Sequence, residues 1–517
     1  MLFNSYVFIF GFLPVSLAIF FLLGRLSPSW AAAFLLLASL FFYGWWNPVY
    51  LPILLASASC NFLIGNSISH SRTPSSRTLI FAIGIACNLL TLFYFKYYSF
   101  FLSFLLSEQQ EPLKDLPLGI SFFTFTQIAF LTDVYQRRAR EPNPIHYGLF
   151  VTYFPHLIAG PLLHHKAMMP QFGRKDTYLV NPNNIAIGLT IFVIGLFKKV
   201  VLADSLAPTT SGVFAAAETG VPITLLEAWA GALGYTLQLY FDFSGYSEMA
   251  IGISRMFNVV LPPNFYSPYQ ATSISDFWRR WHMTLSAFLR NYLYIPLGGN
   301  RHGKTRKYLN LLITMVLGGL WHGAGWTFVI WGAFHGCLLA MDHVWRDLRG
   351  HLGLAPSGNS IFRPLISWAA TFVCVVVGWV FFRSVTLDGS FRMIGAMAGL
   401  NGISVSPGVA DLVMPFWRLS ASTWVRPDGI SPSGLIDLPF LNLVFIGLII
   451  VLALPNTLQI MRWTSPVLEI PQEASGLRLF SHWAWTPNTV NAVVLAVATI
   501  VSLLLLSRPS EFLYFQF

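Results

Sequence analysis

The sequence predicts an all-α polytopic membrane protein, and three observations carry that reading. Hydrophobic residues make up 55% of the 517 and charged residues only 10%. A soluble domain carries about 25% charged residues, so this chain cannot cover itself with a hydrated surface. Apolar stretches of about 20 residues recur from end to end. The basic residues, which set a net charge of +10, gather in short loops between those stretches. That is the footprint of membrane topology and not of a nucleic-acid partner.

The apolar stretches fall at 2–23, 30–46, 49–65, 78–106, 117–134, 147–163, 183–203, 225–256, 308–345, 361–386, 435–455 and 488–507. Each is long enough to be read as a helix at membrane depth. Two of them, 225–256 and 308–345, exceed one straight crossing and are expected to be broken or doubled, so about ten to thirteen crossings are predicted. The opening MLFNSYVFIFGFLPVSLAIFFLL lacks a basic leader and a small-residue cleavage site, so it reads as a retained first helix.

Loop charge sets the orientation. Arg25 follows the first span, Arg72 and Arg77 the third, and Arg137, Arg138 and Arg140 the fifth. The intervening loops, Asn47–Pro48 and SEQQEPLKDLP, hold one lysine between them. The positive-inside rule then places the arginine loops in the cytoplasm and the N-terminus outside. Lys166, Arg174 and Lys175 break the alternation, and a re-entrant or interfacial segment there restores it. Segment 389–437, with its Gly, Pro, Ser and Asp residues, reads as an extramembrane connection. No internal repeat is visible, which weighs against an inverted-repeat transporter. Residues 1–517 read as one membrane domain. Cys60, Cys87, Cys337 and Cys374 are scattered in apolar runs without CxxC spacing, so they read as small hydrophobes.

Chemistry is concentrated in two neighbouring stretches. From Asp276 to Pro296, the residues Phe277, Trp278, Trp281, Leu285, Phe288, Leu289 and Tyr292 recur at steps of three and four. That spacing predicts an amphipathic helix near the membrane plane, capped by Ser275 and stopped by Pro296. Arg279 and Arg280 fall on its polar face, and Arg301 follows in the basic turn GGNRHGK. Two readings stand for these arginines: an anchor to membrane lipid headgroups, or a site for an anionic cosubstrate. His282 lies at the edge of the apolar arc.

His322 sits in LGGLWHGAGWTFVIWGAFHG, among Gly318, Gly319, Gly323 and Gly325. An ionisable residue at membrane depth is costly and marks function by default. The glycines allow close helix packing or a helix break, and equally leave room for a small ligand. Neutral imidazole can take a proton from a hydroxyl and return it. The competing reading is a neutral histidine hydrogen-bonded to a neighbouring helix. His335 and His343 lie nearer the span end and read as structural. No carboxylate or cysteine is spaced to complete a metal site with His282 and His322, so no metal is expected. HExxH, GxSxG and P-loop patterns are absent from the sequence.

A third polar island, LQLYFDFSGYSEMAIG, places Asp242, Ser244, Tyr246 and Glu248 within one apolar span. Asp242 either orients a histidine or lines a polar tunnel, or else forms a buried helix–helix hydrogen bond. Lys198 and Lys199 read as snorkelling to the interface.

Together the motifs FPHLIAGP (154–161), FKKVVLAD (197–204), YFDFSGYSEMAIG (240–252), SISDFWRRWHMTLSAFLRNYLYIPLGGNRHG (273–303) and LGGLWHGAGWTF (317–328) resemble the membrane-bound O-acyltransferase (MBOAT) superfamily. The likeness is strongest to its bacterial alginate O-acetylation branch, which is similar to cellulose acetylation and, more distantly, teichoic-acid D-alanylation proteins. It runs over nearly the whole chain, with its motif core at about 150–345. The resemblance implies an MBOAT fold with interfacial and re-entrant helices around a central tunnel, in the bacterial inner membrane, where the loop charges put the N-terminus on the periplasmic side. It places the family's near-invariant histidine on His322, beside Trp321, and its second polar position on His282. It implies acetyl-CoA as donor substrate with no bound cofactor, and a periplasmic acetyltransferase partner in exopolysaccharide O-acetylation. The rival classes are an acyl-group transporter or channel, and a non-catalytic scaffold of the polysaccharide machinery.

Overall fold

The computed structural model describes residues 1–106, 116–158, 160–352, 362–403, 436–469 and 484–508, with Leu513. Apart from one isolated bridge residue, its regular elements are helical, as the apolar runs require. Helices α1 (Leu13–Leu26), α2 (Pro28–Gly44) and α3 (Leu51–His70) lead into α4 (Pro74–Leu92). A π turn at Phe93–Tyr97 joins α4 to α5 (Tyr98–Leu106), and α6 (Ile120–Tyr135) returns. Among the described residues, six helical stretches are long and apolar enough to cross a membrane, and three shorter apolar helices accompany them. Their outer faces carry exposed Leu63, Leu79, Ile83, Leu90, Val494 and Leu504, a surface suited to lipid.

Two faces follow from helix ends. Arg77, at the start of α4, donates to the carbonyls of Val134 and Tyr135 at the end of α6. The turn after α1 lies on the same face, because Gly24 abuts Tyr178 next to Arg174 and Lys175. The opposite face is formed by Trp46–Tyr50 and by Leu116–Gly119, at the other ends of these helices.

Between those faces the chain dips inward from the arginine side. Residues 147–163 do not form one span: α7 (Pro144–Thr152) and the single turn α8 (Phe154–Leu157) are separated by a bend at Tyr153 (φ −49°, ψ 111°) and return through α9 (His165–Phe172). Pro155 allows a helix start there and prevents continuation from α7. Such an inward bend is compatible with the re-entrant or interfacial segment expected from Lys166, Arg174 and Lys175.

Helix α10 (Pro182–Phe197) continues through a π turn into α11 (Asp204–Thr219). The long α12 (Leu225–Met256) is one unbroken helix of 32 residues, with Thr224 and Glu227 forming its capping box. It is buried over most of its length, packed so tightly on α10 that a Cβ at Gly195 would meet the carbonyl oxygen of Gly245 at 2.5 Å. Small residues allow this approach where lipid offers no hydrophobic drive.

Lys198 and Lys199 do not snorkel. Lys199 is fully buried and contacts Asp204 and Asp242 at 2.6 Å each, while Lys198 contacts Glu248 at 2.6 Å. The π turn at Lys198–Ala203 aims both amines into the protein, towards carboxylates of α12 and α11.

The expected single helix from Asp276 is two: α13 (Ile274–Arg280), capped by Ser273 and not Ser275, and α14 (Met283–Leu289). Phe277 and Leu285 are buried, so this is a second inward dip and not a helix resting on lipid. The 308–345 run is doubled into α15 (Gly303–His322) and α16 (Trp326–His351), broken at Gly323–Gly325. Then follow α17 (Phe362–Arg383), α18 (Leu387–Met397), α19 (Leu438–Ala453), α20 (Thr457–Ile460) and α21 (Thr489–Leu505). The start of the 389–437 connection is α18, which docks on Glu218 through the Val385 amide and the Thr386 hydroxyl. Residues 404–435 of that connection lie outside the described residues.

Candidate active site

His322 is the last residue of α15. The helix stops there because Gly323 adopts extended backbone (φ −159°, ψ 150°), and α16 starts one short turn later. The hairpin is close-packed: a Cβ at Gly319 would meet the Phe328 carbonyl oxygen at 2.2 Å, and one at Gly332 the Met315 carbonyl oxygen at 2.4 Å. Gly319 therefore serves helix contact, whereas a Cβ at Gly323 would meet the Phe328 ring and one at Gly325 nothing closer than 3.6 Å. Space beside the imidazole comes from elsewhere.

Three aromatic rings fix the His322 ring edge-on: Trp321 at 4.7 Å, Phe382 at 5.0 Å and Trp331 at 5.3 Å between centroids. Trp321 in turn stacks on Phe125 at 5.5 Å and lies 6.1 Å from the ring of His282. One indole thus touches both histidine environments. The sequence places these histidines 40 residues apart (322 − 282), and the two inward elements bring them to one place.

His282 separates α13 from α14 with a left-handed backbone, φ 42° and ψ 54°. Such a conformation costs a non-glycine residue about 1–3 kcal/mol and persists where the surroundings enforce it. Asn264 is the enforcing residue. Its Oδ1 lies 3.0 Å from His282 Nδ1 and accepts from the Thr284 hydroxyl at 3.0 Å, and its main-chain carbonyl accepts from the Met283 amide at 2.9 Å. Accepting at Oδ1 assigns the proton of neutral His282 to Nδ1, leaving Nε2 as the basic nitrogen. Thr284 extends the tie by accepting from the Leu162 amide at 3.0 Å, which couples the first inward dip to the second.

A cavity of about 390 Å³ opens beside His322. Trp46, Tyr50, Lys96, Ser121, Trp321 and His322 are among its lining residues, with Leu116–Phe122 forming one wall. It lies at the face of Trp46–Tyr50 and Leu116–Gly119, opposite the arginines. Aromatic walls with a few convergent polar groups suit a small organic group presenting a hydroxyl.

The other expected site residues are dispersed. The Asp242 carboxylate is held by Lys199 and approached by the backbone of Leu513, so its contacts are with an ion pair and not with an imidazole. Arg280 is buried and donates through Nε to Asp276 at 3.0 Å, one helical turn away. Arg279 and Arg301 are exposed; Arg301 precedes by three positions Lys304, whose pair with Asp347 joins the start of α15 to the end of α16. Lys96, Asn264 and Trp331 were not among the sequence candidates. Lys96 carried a signal, as a lone charge in the apolar run FYFKYYSF; Asn264 carried none, because its role exists only through contacts formed in the fold.

Comparison with known proteins decides the family. The membrane-bound O-acyltransferase profile matches residues 88–382, which contain both histidines, Trp321 and Lys96. The chain belongs to the membrane-bound O-acyltransferase family. It is an acyltransferase enzyme. Over 436 residues it is 43% identical to a peptidoglycan O-acetyltransferase of Helicobacter pylori, covering 78% of this chain and 81% of the relative. It is 39% identical to a probable alginate O-acetylase AlgI of Pseudomonas putida over the full length of both. A teichoic acid D-alanyltransferase of Bacillus subtilis is 25% identical over 60% of this chain and 79% of its own. For this O-acyltransferase the His322 hairpin and the His282 dip both lie inside the matched region.

Proposed function

We propose that this O-acyltransferase transfers an acetyl group from acetyl-CoA, met at the arginine-bearing cytoplasmic face of a bacterial inner membrane, to an acceptor reached from the periplasmic face. The acceptor class is a hydroxyl of a cell-envelope or secreted polysaccharide, such as alginate or cellulose, directly or through a periplasmic acetyltransferase partner. One observation carries the reading: His322 lines a cavity that opens on the face opposite the basic loops. Relatives that carry acetyl transfer in their names support acetyl as the group moved.

His322 acts as the base. As the acceptor oxygen attacks the thioester carbonyl, the imidazole takes the hydroxyl proton; as the tetrahedral intermediate collapses, the C–S bond breaks and the imidazolium returns that proton to the departing thiolate. The new C–O bond and the S–H bond balance the O–H and C–S bonds lost. His282, oriented by Asn264, lies 6.1 Å from the Trp321 ring that packs on His322 and assists from there. Arg279 and Arg301 remain exposed to meet donor phosphates, for which guanidinium is suited. Arg280, already paired with Asp276, holds α13 instead.

The test is the O-acetyl content of the envelope and secreted polysaccharide, read by NMR, in cells carrying wild-type protein or His322→Ala at equal membrane abundance. Loss of the ester signal in His322→Ala is expected. Unchanged acetylation would leave the imidazole without a role in transfer.

A further inference from the structure

Every α-helix leaves its last four carbonyl groups without intrahelical donors, and at membrane depth water does not supply them. The end of α15 has a particular solution. Gly319 O accepts from the Gly323 amide at 3.4 Å. Leu320 O accepts from the Tyr97 hydroxyl at 2.8 Å. Trp321 O and His322 O both accept from Lys96 Nζ, at 2.5 and 3.0 Å. Three of the four are thus satisfied by two consecutive residues from another span, more than 220 positions away in sequence. The π turn at Phe93–Tyr97 makes this possible by adding a residue to the helical repeat and turning Lys96 and Tyr97 onto the same neighbour.

The remaining Lys96 donor goes to Ser121 Oγ at 3.3 Å. An ammonium has three N–H groups, so all three are committed to protein acceptors. The amine lines the cavity, yet its bonds run to the frame around it. A cation at a helix C-terminus also faces the negative end of the helix dipole.

We propose that Lys96 is a positioning residue for His322. It clamps the end of α15 and so holds the imidazole at the cavity; Tyr97 secures the preceding turn. The inference rests on the reading of His322 as the base, and it adds a second span to the machinery of transfer.

The experiment measures kcat and KM for acetyl-CoA with the purified full chain, comparing wild type, Lys96→Met, Lys96→Arg, Tyr97→Phe and His322→Ala, each checked for folding by chromatography. Misplacing a reacting group by about 1 Å costs roughly 100-fold, so Lys96→Met is expected to lower kcat by about that factor with KM within about twofold. Lys96→Arg, which keeps charge and donors, is expected to recover at least about tenfold of that loss, because positioning is restored with the contacts. If Lys96→Met does not fold, Tyr97→Phe carries the test with a kcat lower by roughly fivefold, reflecting one lost donor. A Lys96→Met enzyme with near-normal kcat, a change confined to KM, an arginine variant no better than methionine, or a Tyr97→Phe enzyme of normal kcat in the unfolded-methionine case would each overturn the proposal. A fully active, folded His322→Ala would overturn the base reading itself, separately from the clamp.

Discussion

Asn264 grips His282 from side chain and main chain at once: Oδ1 lies 3.0 Å from the imidazole Nδ1, and the backbone carbonyl accepts from the amide of Met283 at 2.9 Å. The first contact sets the tautomer and the second holds the left-handed turn. Replacing Asn264 by Ala removes the acceptor for both His282 and Thr284, leaving buried donors unpaired at about 1–3 kcal/mol each. Lower thermal stability and a kcat reduced roughly 10- to 100-fold are expected, because the second histidine loses its orientation. Asn264→Asp, which keeps the acceptor, should retain more activity. Paired melting curves and kinetics check this, and an Asn264→Ala enzyme of wild-type activity would show that the tautomer of His282 is immaterial.

Lys199 with Asp204 and Asp242 forms a buried cluster far more expensive to break than to replace. Lys199→Met leaves two carboxylates without their cation and is expected to destabilise by about 3–5 kcal/mol. Adding Asp204→Asn and Asp242→Asn to that background should recover much of the loss. Thermal unfolding of the purified protein in detergent reads both outcomes. Asp242→Asn in the otherwise wild-type protein is expected to act on stability and leave kcat within about threefold, since surrounding contacts and not reacting atoms change.

The α15–α16 hairpin sets a steric prediction. A methyl group at Gly319 meets the Phe328 carbonyl oxygen at 2.2 Å, an atom of backbone that cannot step aside. Gly319→Ala should force the helices apart, with a cost in the range of 1–3 kcal/mol for overpacking. Gly325→Ala, whose Cβ would meet nothing closer than 3.6 Å, should be milder. The yield of monodisperse protein for the two variants decides the order.

Arg279 and Arg301 should affect donor affinity more than turnover. The double alanine variant is expected to raise KM for acetyl-CoA by about tenfold at low salt with little change in kcat, and the difference should shrink as ionic strength rises. Equal KM values at low salt would return these residues to the role of lipid anchors.

Much of this fold is written in local pattern. Apolar runs mark the helices, the clustered arginines mark one face, and the anomalous Lys166, Arg174 and Lys175 call for a re-entrant or interfacial segment, with which the inward bend of α7–α9 is compatible. His322 stands out because an ionisable side chain within an apolar run needs a reason, whereas His282 is marked by its place at the edge of an apolar arc and Trp321 only by the family resemblance. What local pattern misses is whatever a distant segment decides. The three-and-four spacing after Asp276 describes one helix, whereas Asn264 forces a left-handed residue at its centre and yields two. Lys198 and Lys199 look like residues reaching for a headgroup, until a π turn points them at Asp242, Asp204 and Glu248. Arg280 reads like Arg279, but only Arg280 faces inward to Asp276. Lys96 is conspicuous in FYFKYYSF, yet nothing near it names the helix end that it caps.

The most direct measurement of the central claim is the release of label from radiolabelled acetyl-CoA by purified wild-type protein beside His322→Ala, with folding followed in parallel. A general base contributes about 10²–10⁴-fold, so a folded His322→Ala is expected to consume donor at least about a hundredfold more slowly than wild type. Equal consumption by the two proteins would contradict the assignment of His322 as the base.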